Sequence, residues 1–173
     1  GPPPCPTPTP PGRNDLDLWV DTDGDGLPGP DGALQVGQTT QFNLWLDSKT
    51  FEWSYFQLWL GFGESAGNLL FSKDPSDLVV EYEALGGTIF PVDLFTNPTA
   101  IGLSGFDLPP RSGPQRIAAI TTRAVAPPAN SLGCVEPLVD VTSPLGTHSV
   151  VGAGPYAGVF CRGLISPGCY AIS

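Results

Sequence analysis

Hydrophobic residues in this chain recur at every second position over several stretches, and that period limits what the chain can fold into. In "LDLWVD", Leu16, Leu18 and Val20 share one side while Asp17 and Trp19 share the other. In "TTQFNLWLD", Thr40, Phe42, Leu44 and Leu46 oppose Gln41, Asn43, Trp45 and Asp47. In "WSYFQLWLGF", Phe56, Leu58, Leu60 and Phe62 oppose Tyr55, Gln57 and Trp59. Side chains that alternate between two faces belong to strands, and one apolar face means a half-buried strand. Further strand candidates cover residues 78–84, 88–93, 100–105, 115–126, 134–141, 148–151, 159–164 and 169–172. Between them lie "GG", "NPT", "LPPRSGP", "APPAN" and "SPG", all turn-forming chemistry. No stretch keeps a helical period beyond two turns, and 22 Gly with 21 Pro in 173 residues favour many short strands. The pattern predicts an all-β fold, an antiparallel β-sandwich of the jelly-roll kind.

Residues 1–14 stand apart. "GPPPCPTPTPPG" favours an extended polyproline conformation and can enter neither a helix nor an interior strand. Thr7 and Thr9 within it are candidate O-glycan acceptors. Residues 15–173 are expected to form a single sandwich domain, with 131–173 as a hairpin extension holding three of the four cysteines. Net charge is −10, which opposes nucleic acid and anionic membrane surfaces as partners. No apolar run approaches the roughly 18 residues of a membrane span. The chain contains no methionine, so it is expected to be a processed or excised product. Cys5, Cys134, Cys161 and Cys169 have no metal-ligand spacing and fit two disulfides in a secreted, extracellular protein. All three connectivities stay open, with Cys161–Cys169 across the "SPG" turn preferred and Cys5 then left with Cys134.

The stretch "VDTDGDGLPGPDG" gathers carboxylates that would otherwise repel one another. Ca²⁺ takes about six to eight oxygens, and acidic loops with glycine at the bend supply them. Asp21, Asp23 and Asp25 occupy the first, third and fifth places of such a loop, Gly26 the sixth, and the Leu27 carbonyl the seventh. The twelfth place is Gly32 in place of glutamate, with Asp31 one residue early. The residues after Gly32 read as strand, so the loop resembles those of thrombospondin type 3 repeats and dockerins, without the EF-hand helices. The expected ligands of one Ca²⁺ are Asp21, Asp23, Asp25, Asp31 and the Leu27 carbonyl.

Three further pieces carry a resemblance to a larger family: "LQVGQTTQFNLWLDS", "FQLWLGF" and "AIGLSGFDLPPRSGPQRIAAITTRAVAPP". Their order resembles cohesin-type modules, in which a strand enters through a V-G-x-T turn and a late strand alternates. The resemblance covers roughly residues 16–130, with "GFGESAG" at the place of the family's Tyr-Asp-Pro corner. It implies a nine-stranded jelly roll that binds a protein partner through one sheet face.

Catalysis has little to stand on in this sequence. His148 is the one histidine and follows no G-x-S-x-G elbow. Glu81 and Glu83 share one strand face, where simple exposure accounts for them. "GAGPYAG" has Pro155 inside it and no helix after it, so it is no nucleotide fingerprint. Trp19, Trp45, Tyr55 and Trp59 all fall opposite the aliphatic positions of their strands, and Trp45, Tyr55 and Trp59 are expected to line one groove. Such rings can meet a protein partner, stack on a polysaccharide, or be covered from within. The expected function is a non-enzymatic, Ca-stabilised surface module that assembles with itself, as in a filament, or with another surface protein. Sheet face and tail would make those contacts, and the alternative is a carbohydrate-binding module.

Overall fold

The computed structural model describes residues 16–64, 67–139, 147, 149–152 and 163–173. Cys5, Thr7, Thr9, His148 and Cys161 lie outside these residues. The described residues contain no helix and form two packed sheets. One sheet consists of β1 (Leu16–Asp21), β3 (Thr39–Trp53), β5 (Val79–Tyr82), β8 (Arg111–Arg123) and β11 (Ile165–Ser166), ordered β11-β1-β3-β8-β5. The other holds β2 (Gly32–Leu34), β4 (Tyr55–Gly61), β6 (Thr88–Asp93), β7 (Ala100–Phe106), β9 (Gly133–Pro137) and β12 (Gly168–Ile172). Its order is β2-β12-β9-β4-β7-β6, and β10 (Val150–Gly152) also pairs with β4.

The alternation read from the sequence is what closes the core. Leu16, Leu18 and Val20 of β1, with Phe42, Leu44 and Leu46 of β3, meet Phe56, Leu58 and Leu60 of β4 and Ile101 and Leu103 of β7. All of these are at most 1% exposed, and each such side chain contributes on the order of 1.5–3 kcal/mol of burial. β3 and β8 lose register between Leu44 and Trp45, because Leu44 faces Ala118 while Trp45 faces Arg116. The extra residue, Ile117, joins the core, and Arg116 stays half-buried and paired with Glu83.

Two strand contacts depart from the antiparallel pattern. β1 pairs in parallel with β11, and β2 pairs in parallel with β12. Of the strand expected at 159–164, residues 159–162 lie outside the described residues, Gly163 and Leu164 are not strand, and β11 begins at Ile165. Gly163 and Leu164 already bond the β1 edge, through Gly163 N–H to the Leu16 carbonyl and Leu18 N–H to the Leu164 carbonyl.

The preferred cysteine pairing is overturned. Cys134 bonds Cys169, with Cα atoms 4.1 Å apart. β12 runs back along β9 and sets Cys169 directly opposite Cys134. Directly opposed residues of an antiparallel pair come within about 4.5 Å where no ladder bonds join them, which leaves Cys161 without its preferred mate.

Candidate functional site

The chain leaves β1 at Asp21 and turns back over the outer face of the five-stranded sheet. Asp21 is fully buried, and its carboxylate gathers the loop around itself. It accepts N–H bonds from Gly26 at 2.8 Å, Gly24 at 3.0 Å and Asp23 at 3.2 Å. Asp23 accepts from Asp25 N–H at 3.3 Å, and Asp25 from Leu27 N–H at 2.8 Å. Gly24 and Gly26 have φ of 81° and 79°, a left-handed backbone that side chains disfavour, so glycine is required at both.

This winding brings an oxygen from each of Asp21, Asp23 and Asp25 within 4.8 Å of the others. Burial pushes the Asp21 carboxyl up. The Gly26 N–H, the Asp23 side chain and the remaining N–H donors outweigh it and hold the carboxyl below the usual range. Asp23 is held above that range, first by the hydrogen bond it shares with the Asp21 carboxyl. The Leu27 carbonyl and the Asp23 carboxylate also converge, at 3.5 and 3.3 Å from where a Gly29 side chain would begin. Three carboxylates and one carbonyl, all hard oxygens on a loop with glycine bends, fit Ca²⁺. Asp31 is exposed and stands outside this group. The Thr22 hydroxyl donates to the Pro30 carbonyl at 3.2 Å, which ties the end of the loop to its start.

The aromatic residues divide between two faces. Trp19 and Trp45 are directly opposed on β1 and β3 and stack with centroids 6.0 Å apart and planes 6° from parallel. Gly26 lies against the Trp45 ring, 3.3 Å from where its own side chain would start, so the acidic loop covers that ring. Trp59 and Tyr55 sit on β4, in the other sheet, and face away from the core on the opposite side of the sandwich. The single groove of Trp45, Tyr55 and Trp59 therefore does not form. Trp59 itself is only 7% exposed and packs flat over Gly102, while the Ser149 hydroxyl accepts its backbone N–H at 3.0 Å.

What remains open on that outer face was not anticipated. Phe90 on β6 and Phe106 on β7 meet edge to face at 5.5 Å, and each is about two-fifths exposed. The register that sets Phe56 opposite Gly105 brings Tyr55 level with Phe106. Val92 near the end of β6 and Phe95 in the turn after it are also exposed. A signal was available in "TIFPVD": beside the inward Ile89, Phe90 points out, and Pro91 suits an edge strand. Glu81 is exposed, and Glu83 is occupied by Arg116, so the two do not act as a carboxylate pair.

No protein-family model and no curated protein sequence matches the chain. Solved structures do. A type III cohesin module from the ScaE cell-surface anchoring scaffoldin of Ruminococcus flavefaciens superposes with TM-score 0.59 at 9% identity, over 91% of this chain and 87% of that one. The fold is cohesin-like. CaCohA2 from Clostridium acetobutylicum gives TM-score 0.56 at 11% identity, over 93% and 92%. The same module has also been solved in complex with CaDoc0917. A non-cellulosomal cohesin of the archaeon Archaeoglobus fulgidus gives 0.52 at 10%, over 91% of each chain. At these identities the likeness is one of fold.

Proposed function

We propose that this chain is a non-enzymatic protein-binding module working outside the cell, with Phe90 and Phe106 at the centre of its docking face. The observation that carries this reading is the open pair of rings, with Tyr55 level with Phe106, on one edge of a cohesin-like sandwich. Exposed, contiguous apolar surface marks interaction sites, and aromatic residues are the usual anchors. The partner is a second copy of this chain or another surface protein. Two copies each carrying −10 repel, so self-association through apolar contacts strengthens as salt screens that repulsion. Sedimentation at rising protein and salt concentration, with wild type and Phe90→Asp, tests the docking face. A chain that stays monomeric and instead binds polysaccharide in a glycan screen, with loss in Phe90→Ser, would replace this reading by a carbohydrate-binding one.

Calcium is the second component of the proposal. Asp21, Asp23, Asp25 and the Leu27 carbonyl would hold it, and the ion would offset the repulsion among the carboxylates. A ligand that binds only the folded state stabilises it, by about 2.7 kcal/mol at a hundredfold excess over Kd. The melting temperature in calcium is expected to exceed that in EDTA. Asp23→Ala should remove the difference, and Asp31→Ala should leave it. Identical melting of the wild type in both media overturns the calcium reading.

A further inference from the structure

Lys73 is one of two lysines in the chain and is only 7% exposed. Lys49, the other, stands at the surface and pairs with Asp17. The segment carrying Lys73 is pinned to the end of β8, where the Ser72 N–H donates to the Arg123 carbonyl at 2.8 Å. From there the side chain reaches the turn between β6 and β7, in the other sheet, and its amine donates to the Asn97 backbone carbonyl. A buried ammonium is costly, and burial holds the Lys73 amine below the usual lysine range even with the Asp93 carboxylate nearby. An amine so placed is available as a nucleophile.

The turn it touches is built around two side chains. Asp93 accepts the N–H of Thr96 at 2.8 Å and that of Asn97 at 3.0 Å, which sets its carboxylate beside Asn97 and near the lysine. The Asn97 side-chain oxygen accepts two N–H groups, from Thr99 and Ala100, each at 3.0 Å. Two backbone donors on one carbonyl oxygen polarise it and are placed to stabilise an oxyanion there. Pro98 follows Asn97 and has no N–H. The amide therefore cannot be lost through attack by the next backbone nitrogen, the ordinary route of asparagine deamidation.

We propose that Lys73 and Asn97 join in an isopeptide bond that cross-links the two sheets. The neutral Lys73 amine attacks Cγ of Asn97, forming the new C–N bond, and the charge that develops on Oδ1 is held by the Thr99 and Ala100 N–H donors. Asp93 takes a proton from the attacking nitrogen and passes it to Nδ2, the Cγ–Nδ2 bond breaks, and ammonia leaves. One amine and one primary amide become one secondary amide and one ammonia, so no oxidant or reductant is required. The folded sandwich holds the two groups together, which replaces a bimolecular encounter. The product also relieves the interior of a charge.

Mass spectrometry of the full chain, denatured and reduced, tests this. The wild type should weigh less than its sequence by one ammonia, and digestion should recover the peptide of Lys73 joined to that of Asn97. Lys73→Arg keeps the positive charge without the nucleophile and should show the full sequence mass. In Asp93→Asn, with circular dichroism showing a folded sandwich, the linked species should fall about tenfold or more. A wild type at its full sequence mass overturns the bond, as does an ammonia loss that persists in Lys73→Arg. Full linkage in Asp93→Asn overturns the part given to Asp93.

Discussion

At the scale of single residues, Gly102 and Asp77 make the sharpest tests. A Cβ on Gly102 would meet three atoms of the Trp59 ring at 2.8 Å, closer than carbon atoms approach. Gly102→Val must push the ring out or shift β7, at a cost of about 1–3 kcal/mol for overpacking. Urea unfolding should show a lower midpoint. Asp77 accepts hydrogen bonds from Arg123 at 3.0 and 3.2 Å and from the Ser72 hydroxyl at 2.6 Å. The Arg123 guanidinium, then Ser72, holds its carboxyl below the usual range. Its folded pKa thus lies below the unfolded value of about 3.9. The resulting stability is complete above that value and is lost as pH falls through the folded one. Arg123→Gln should therefore be less stable than wild type by a constant margin from pH 5 to 7, about the range where the carboxyl is ionised both folded and unfolded. The margin should shrink below about pH 4. The gathering of the three carboxylates was legible at this scale because the alternate spacing of Asp21, Asp23 and Asp25 is written in the chain. Asp31 stands outside the group of three carboxylates, which spacing alone does not record.

Among the elements, the β9–β12 pair carries the described disulfide. Replacing Cys134 and Cys169 together by alanine opens a loop of sequence separation 35. Chain entropy sets the loss at about 4 kcal/mol or less. Ladder bonds already hold the two strands in register, so thermal melting should show a smaller loss with the sandwich retained. The strand bounds expected at 88–93 coincide with β6, since four apolar residues in six positions and flanking turn residues mark both ends. β2 and β11, at three and two residues, are too short to display a period: the residues of β2 were read as one strand with β3, and β11 was not foreseen. Their partners are distant in sequence and parallel, so no turn announces them. The disulfide escaped for the same reason: it depends on which strand lies beside β12.

For the whole molecule, alternation told inside from outside without telling one sheet from the other. β3 and β4 follow each other almost directly, with Ser54 between them, yet they belong to opposite sheets. That crossing separates Trp45 from Trp59 by the full thickness of the sandwich.

The parallel seams at the two ends of the chain also set how the module answers force. A load entering on the N-terminal side of β1 and leaving beyond β12 pulls β1 and its neighbour β11 in opposite directions along their length. In that geometry the ladder bonds lie across the pull and share it, so the seam must shear as a unit. An antiparallel hairpin loaded at its open end would instead unzip, its ladder bonds breaking in succession. Pulled by its two ends, this domain should resist from its first and last described strands, while its middle carries little tension until they fail.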